Sequence, residues 1–137
     1  MTRFKPLIIT ASAGTGKTYR LALEYVRLLL DHFNLPGFSM DSILVLTFTR
    51  KATAEIKQRI QDHLRLLVST RSQDRDERRE LILELKYRQG DGELSPSEEG
   101  ILTSVSMVLA ADRRMLQVMT LDSYIHSIFR NIVKPLR

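Results

Sequence analysis

No cysteine occurs in this sequence. That absence excludes a disulfide framework and any thiolate metal site. No apolar run approaches the roughly 20 residues that a membrane-spanning helix needs. The short apolar patch after Pro6 leads straight into a glycine-rich segment, so the N-terminus does not read as a signal peptide. Internal repeats and low-complexity tracts are missing too. Together these absences point to a cytoplasmic protein. The three histidines, His32, His63 and His126, are scattered and read as surface or boundary residues on helices, not as a metal cluster. What is present fits one domain with its own core: 137 residues, 43% hydrophobic and 27% charged, a mix too apolar for a disordered chain. Lys and Arg total 21 against 16 acids, and the resulting charge of +5 favours a polyanionic partner such as nucleic acid.

Patterning predicts strands alternating with helices. Leu7-Ile8-Ile9-Thr10, bounded by Pro6, is short and β-branched, as a buried strand is. A helix follows from about Lys17 to Phe33, with Leu21, Tyr25, Leu28 and Leu29 inward and Arg20, Glu24, Arg27 and Asp31 on the other face. Ile43 to Phe48 is an almost unbroken apolar run, the signature of a strand covered on both faces. Thr49 then caps a helix over about Arg50 to Val68, buried along Ala52, Ile56, Ile60 and Leu64. The charged stretch Ser69 to Arg79 reads as a loop running into a solvated helix that ends near Tyr87, before the turn Gln89-Gly90-Asp91-Gly92. Ser95-Pro96-Ser97-Glu98 spells a capping box, with Ile101, Leu102, Val105 and Leu109 inward after it. A third strand is predicted over Met115 to Thr120, and a last helix over about Asp122 to Lys134 carrying apolar Ile125, Ile128, Phe129 and Ile132. Such alternation implies an α/β fold with a parallel sheet and right-handed crossovers.

Between the first strand and first helix lies ASAGTGKT, Ala11 to Thr18. A phosphoryl chain can be met by backbone N–H groups where residues are small enough for close approach, and a helix starting there adds its unpaired amides and positive dipole end. Ala11, Ser12, Ala13, Gly14, Thr15 and Gly16 supply such a loop. The Lys17 ammonium can reach the β- and γ-phosphates, and the Thr18 hydroxyl can ligate Mg²⁺. A flexible turn with an incidental lysine would carry the same letters; the position between strand and helix favours the cradle. Tyr19, next in line, can pack against a base or against the sheet.

Three segments in order, ASAGTGKT, LTFTRKATAEIKQRI (Leu46 to Ile60) and VMTLDSYIHSIFR (Val118 to Arg130), resemble motifs I, Ia and Ib of superfamily-1 DNA helicases of the UvrD, Rep and PcrA group. The spelling is most similar to the RecB and AddA branch, the motor subunits of helicase–nuclease complexes. The resemblance implies a P-loop NTPase, RecA-like partial domain: a parallel sheet of about three strands with flanking helices and a small helical insertion over residues 70–112. It implies ATP and Mg²⁺ as cofactors, with Lys17 and Thr18 in the catalytic role. It implies single-stranded DNA at Phe48, Thr49 and Arg50 after the second strand, and at Thr120 and Ser123 after the third. Phe48 could equally complete the core of its apolar run. Arg50 and Lys51 stand where the helix dipole disfavours cations, which supports an anionic partner. Many relatives have histidine where this chain has Asp122, which reads instead as a cap for the last helix.

Hydrolysis needs more than a cradle: an acidic pair after a later apolar strand, and an arginine at the transition state. No apolar run ending in Asp-Glu follows Thr120 in this sequence, and no adenine-reading glutamine motif precedes the loop. The chain therefore reads as the N-terminal piece of a longer motor, with the remaining helicase domains and helicase–nuclease subunits as partners and little hydrolysis of its own. An open sheet edge and uncovered apolar surface predict self-association. Two alternatives stay open: a small P-loop kinase using the arginines of 71–79 as a lid, and a stand-alone nucleotide- or DNA-binding module.

Overall fold

The computed structural model describes residues 7–11 and 15–133. The elements run β1 (Leu7–Ala11), α1 (Thr15–His32), β2 (Ile43–Thr47), α2 (Arg50–Val68), α3 (Arg75–Leu85), α4 (Pro96–Ala111), β3 (Gln117–Thr120) and α5 (Leu121–Val133). The three strands form one parallel sheet in the order β1-β2-β3, the α/β arrangement expected from the sequence pattern. β2 is central and every residue of it is buried, which accounts for its unbroken apolar run.

α1 and α2 pack against each other over one side of the sheet, where Ala22, Tyr25, Val26 and Leu29 meet Ile43, Val45, Ile56 and Ile60 in one cluster. The stripe predicted for α2 is buried as expected. That of α1 is rotated: Ala22, Leu23, Tyr25, Val26 and Leu29 are buried, while Leu21 and Leu28 are half-buried. The cause is a third packing partner. α3, whose far end buries Leu81, Ile82 and Leu85, lies against α1 and adds a side to it.

Arg27 is the clearest correction to the solvent-face reading. Its Nε donates to the Leu85 carbonyl at 2.9 Å and its Nη2 to the Glu84 carbonyl at 2.8 Å. The last carbonyls of a helix have no intrahelical donor, and Arg27 supplies them from outside. Its guanidinium also covers the Tyr87 ring at 4.0 Å. The chain leaves α3 through two left-handed residues, Tyr87 (φ 55°) and Arg88 (φ 59°), then through Gly90 and Gly92. Gly92 is favoured by its φ of 80°, and a Cβ there would stand 2.6 Å from Arg79 Cγ and displace that side chain.

The capping box before α4 forms as predicted: Ser95 Oγ accepts from the Glu98 amide at 3.1 Å, and Glu98 Oε1 accepts from the Ser95 amide at 2.8 Å. Glu98 also pairs with Lys86 at 2.7 Å, tying α4 to the end of α3. The third strand is shorter than predicted, because Arg113–Met115 forms a 3-10 turn in front of it. Among the described residues no helix is long and apolar enough to cross a membrane, and no group of three or more His, Asp or Glu could hold a metal.

Candidate nucleotide and nucleic-acid site

The register aligns the ends of the strands. Ala11 pairs with Thr47, and Thr47 with Thr120, so all three strands finish in one row. Each motif segment begins at that row: the glycine loop after Ala11, Phe48-Thr49-Arg50 after Thr47, and Leu121-Asp122-Ser123 after Thr120. Segments far apart in sequence thus share the carboxyl edge of a parallel sheet, where ligands of open α/β folds bind.

Ser12, Ala13 and Gly14 lie outside the described residues. α1 begins at Thr15, two residues earlier than predicted, so Gly16 and Lys17 belong to its first turn. A Cβ at Gly16 would meet no heavy atom within 4 Å, so packing does not demand glycine there. Lys17 is exposed and opens on a cavity of about 680 Å³ shared with Arg20, Arg27, Tyr87 and Arg88. Thr18 is buried and borders a separate hollow of about 360 Å³ with Glu55, Gln58 and Asp62. Tyr19 packs against helices rather than the sheet: its hydroxyl donates to Glu84 Oε1 at 3.3 Å and its ring meets His63 edge-on, 4.9 Å between centroids. Burial, then the Glu84 carboxylate, pushes the Tyr19 phenol above its ordinary value.

The two segments assigned to nucleic acid are built from caps. Thr49 Oγ1 accepts from the Ala52 amide at 3.0 Å, which starts α2 as predicted and leaves the hydroxyl proton available to a ligand. Phe48 is 69% exposed, so it does not complete the core. Arg50 and Lys51 are exposed in a first turn that contains no acid. At the third strand Thr120, not Asp122, does the capping: Thr120 Oγ1 accepts from the Ser123 amide at 3.2 Å. Register explains the correction, since the helix begins at Leu121 and puts Thr120 at the capping position and Asp122 in the first turn, where the dipole favours a carboxylate. Thr120 also donates to Ser123 Oγ at 2.9 Å, which leaves the Ser123 proton to point elsewhere.

Thr47 was not singled out in the sequence and holds the row together. Its buried hydroxyl lies 2.6 Å from Thr53 Oγ1, 3.2 Å from the Thr49 carbonyl and 3.4 Å from the Met119 carbonyl. It joins β2, the start of α2 and β3. A threonine closing an apolar strand, with another six residues on, is the signal that could have revealed it. His63 was also misplaced. His32 and His126 are boundary and surface residues as expected, but His63 is buried with Nε2 unpartnered, because it sits on the side of α2 that faces Tyr19.

A family model described as the UvrD/REP helicase N-terminal domain matches residues 2–135. Among curated proteins, RecBCD enzyme subunit RecB of Haemophilus influenzae is 46% identical over 61 residues, 42% of this chain and 5% of the relative. RecB of Escherichia coli K12 is 44% identical over 61 residues, again 42% of this chain and 5% of the relative. AddA of Ligilactobacillus salivarius, named as an ATP-dependent helicase/nuclease subunit, is 39% identical over 77 residues, 56% of this chain and 6% of the relative. The chain thus spans about one-twentieth of the length of these relatives. No solved structure matches it significantly.

Proposed function

This chain belongs to the UvrD/REP helicase N-terminal domain family, and from that membership we propose that it is the ATP-binding, single-strand-contacting part of an ATP-dependent DNA helicase, of the kind that works with a nuclease in DNA repair and recombination in the cytoplasm. Membership in this family takes it out of the small-kinase class. The observation that carries the reading is the common row formed by Ala11, Thr47 and Thr120, from which all three motif segments emerge.

The residues fit a nucleotide. Space is left at Gly16, the Lys17 side chain is exposed at the first turn of α1, and the helix N-terminus favours negative charge. In this reading amides from Ala11 to Thr18 cradle the phosphates, Lys17 offsets their charge and the Thr18 hydroxyl holds Mg²⁺. The hollow at Thr18 is rimmed by Glu55, Gln58, Arg59 and Asp62, so the Mg²⁺ role rests on the Thr18 hydroxyl and the phosphates themselves. A Mg²⁺ ion held at Thr18 would supply positive charge to offset that of the phosphates. Phe48 offers a face on which a base can stack, while Thr49, Arg50, Thr120 and Ser123 hold backbone phosphates. The residues of 70–112 act as an insertion in the domain. The acidic pair, the arginine finger and the second lobe come from the remaining helicase domains, so this piece turns over little ATP. Helicase–nuclease subunits are its further partners.

ATP binding and single-strand binding test this together. Lys17→Ala should abolish measurable ATP binding by calorimetry. An oligonucleotide should bind the unaltered chain with affinity that falls steeply between low and high salt. ATP binding indifferent to Lys17→Ala, or oligonucleotide binding indifferent to salt, would refute the assignment.

A further inference from the structure

Tyr19 stands one residue beyond Thr18, and its side chain reaches two helices other than its own. Its hydroxyl donates to Glu84 Oε1 of α3 at 3.3 Å. Its ring meets the buried His63 ring of α2 at 80°, and the Arg59 guanidinium of the same helix lies 5.9 Å from its centroid. The stretch it reaches is a junction. The Glu84 side chain accepts a hydrogen bond from the Tyr19 hydroxyl, the carbonyls of Glu84 and Leu85 accept from Arg27 of α1, and Lys86 pairs with Glu98 of α4. Both α1 and α4 are therefore fastened to the end of α3 within three residues, and α2 holds the ring that reaches it.

We propose that Tyr19 is a positioning residue that couples the phosphate seat to α3. The inference rests on the reading of residues 11–18 as that seat. A helix turn moves as a unit, so a shift of Lys17 and Thr18 on taking up nucleotide carries Tyr19 with it. The phenol passes the shift to Glu84. Coupling of this kind is reciprocal: the Tyr19–Glu84 hydrogen bond sets where Lys17 and Thr18 stand before nucleotide arrives. His63 contributes by closing off the space into which the phenol ring could otherwise swing.

The test uses this 137-residue chain with Mg²⁺ and ATP, read by calorimetry and by amide hydrogen exchange. ATP should slow exchange in residues 80–86 of the unaltered chain. Tyr19→Phe keeps the ring against His63 and loses only the hydroxyl; it should weaken ATP binding about three- to tenfold, the worth of one hydrogen bond, and abolish the protection of 80–86. Glu84→Gln in the chain that keeps Tyr19 retains a carbonyl acceptor and should preserve both. Glu84→Ala should match Tyr19→Phe, and the double variant should be no worse than either alone. A merely structural role would lower the melting temperature without removing the exchange response. Unchanged exchange in 80–86 while ATP binds, or a full response in Tyr19→Phe, overturns the coupling. ATP binding that is absent, or the same in Lys17→Ala, overturns the seat itself and the coupling with it.

Discussion

α1 and α5 both follow a strand of the same sheet, and both place apolar residues at helical spacing. α1 sits against β1, α2, α3 and α4 with Tyr25 and Leu29 fully buried. α5 leaves Leu121, Ile125, Ile128 and Phe129 exposed, Phe129 at 66%. An apolar stripe states that a helix has a face to bury; the neighbours decide whether it is buried. α1 has them on three sides. Among the described residues α5 touches β2 and β3 but no other helix in comparable measure. The self-association expected from the sequence would draw on this stripe.

The contrast can be broken most forcefully by matched truncations. Leu29→Ala should cost about 2–5 kcal/mol in urea unfolding, while Phe129→Ala should stay within about 0.5 kcal/mol. A large loss for Phe129→Ala would mean that α5 is packed after all. The next effect separates exposure that serves a ligand from exposure that does not. Phe48→Ala should weaken single-strand binding by about 1–3 kcal/mol without moving the urea midpoint, and Phe129→Ala should leave the strand affinity unchanged. Equal losses from both would remove any special role for the strand tips.

The smallest effect concerns the buried side alone. Burial holds His63 below the ordinary histidine value, so the folded state resists protonation that the unfolded chain accepts near pH 6.5. Above that pH the group contributes no slope. As pH falls below about 6.5 the unfolded chain binds the extra proton and stability declines until the folded value is passed. His63→Gln should flatten this part of the stability–pH curve, read by urea unfolding at a series of pH values.

What could be read from the sequence follows the range over which each feature is decided. The caps at Thr49 and Ser95 close within three residues and were legible from their letters alone. So was β2, whose β-branched run needs no partner to be recognised. Arg27 was not, since the carbonyls that draw it inward lie 57 and 58 residues away. Tyr87 and Arg88 adopt a left-handed backbone that neither residue type announces. Asp122 was assigned the cap because aspartate often serves there; a one-residue difference in helix start gave that position to Thr120. Lys17, Phe48 and Arg50 were singled out by pattern and stand exposed, whereas Thr47 and Glu84 make contacts that only the folded chain brings about.

The flush ending of the strands also has a mechanical side. With Ala11, Thr47 and Thr120 level, consider a pull directed along the strand axes at this edge. The ladder bonds on either side of β2 are then sheared as a group and do not unzip one at a time. Load directed along the strands at this edge would therefore be shared across the body of the sheet.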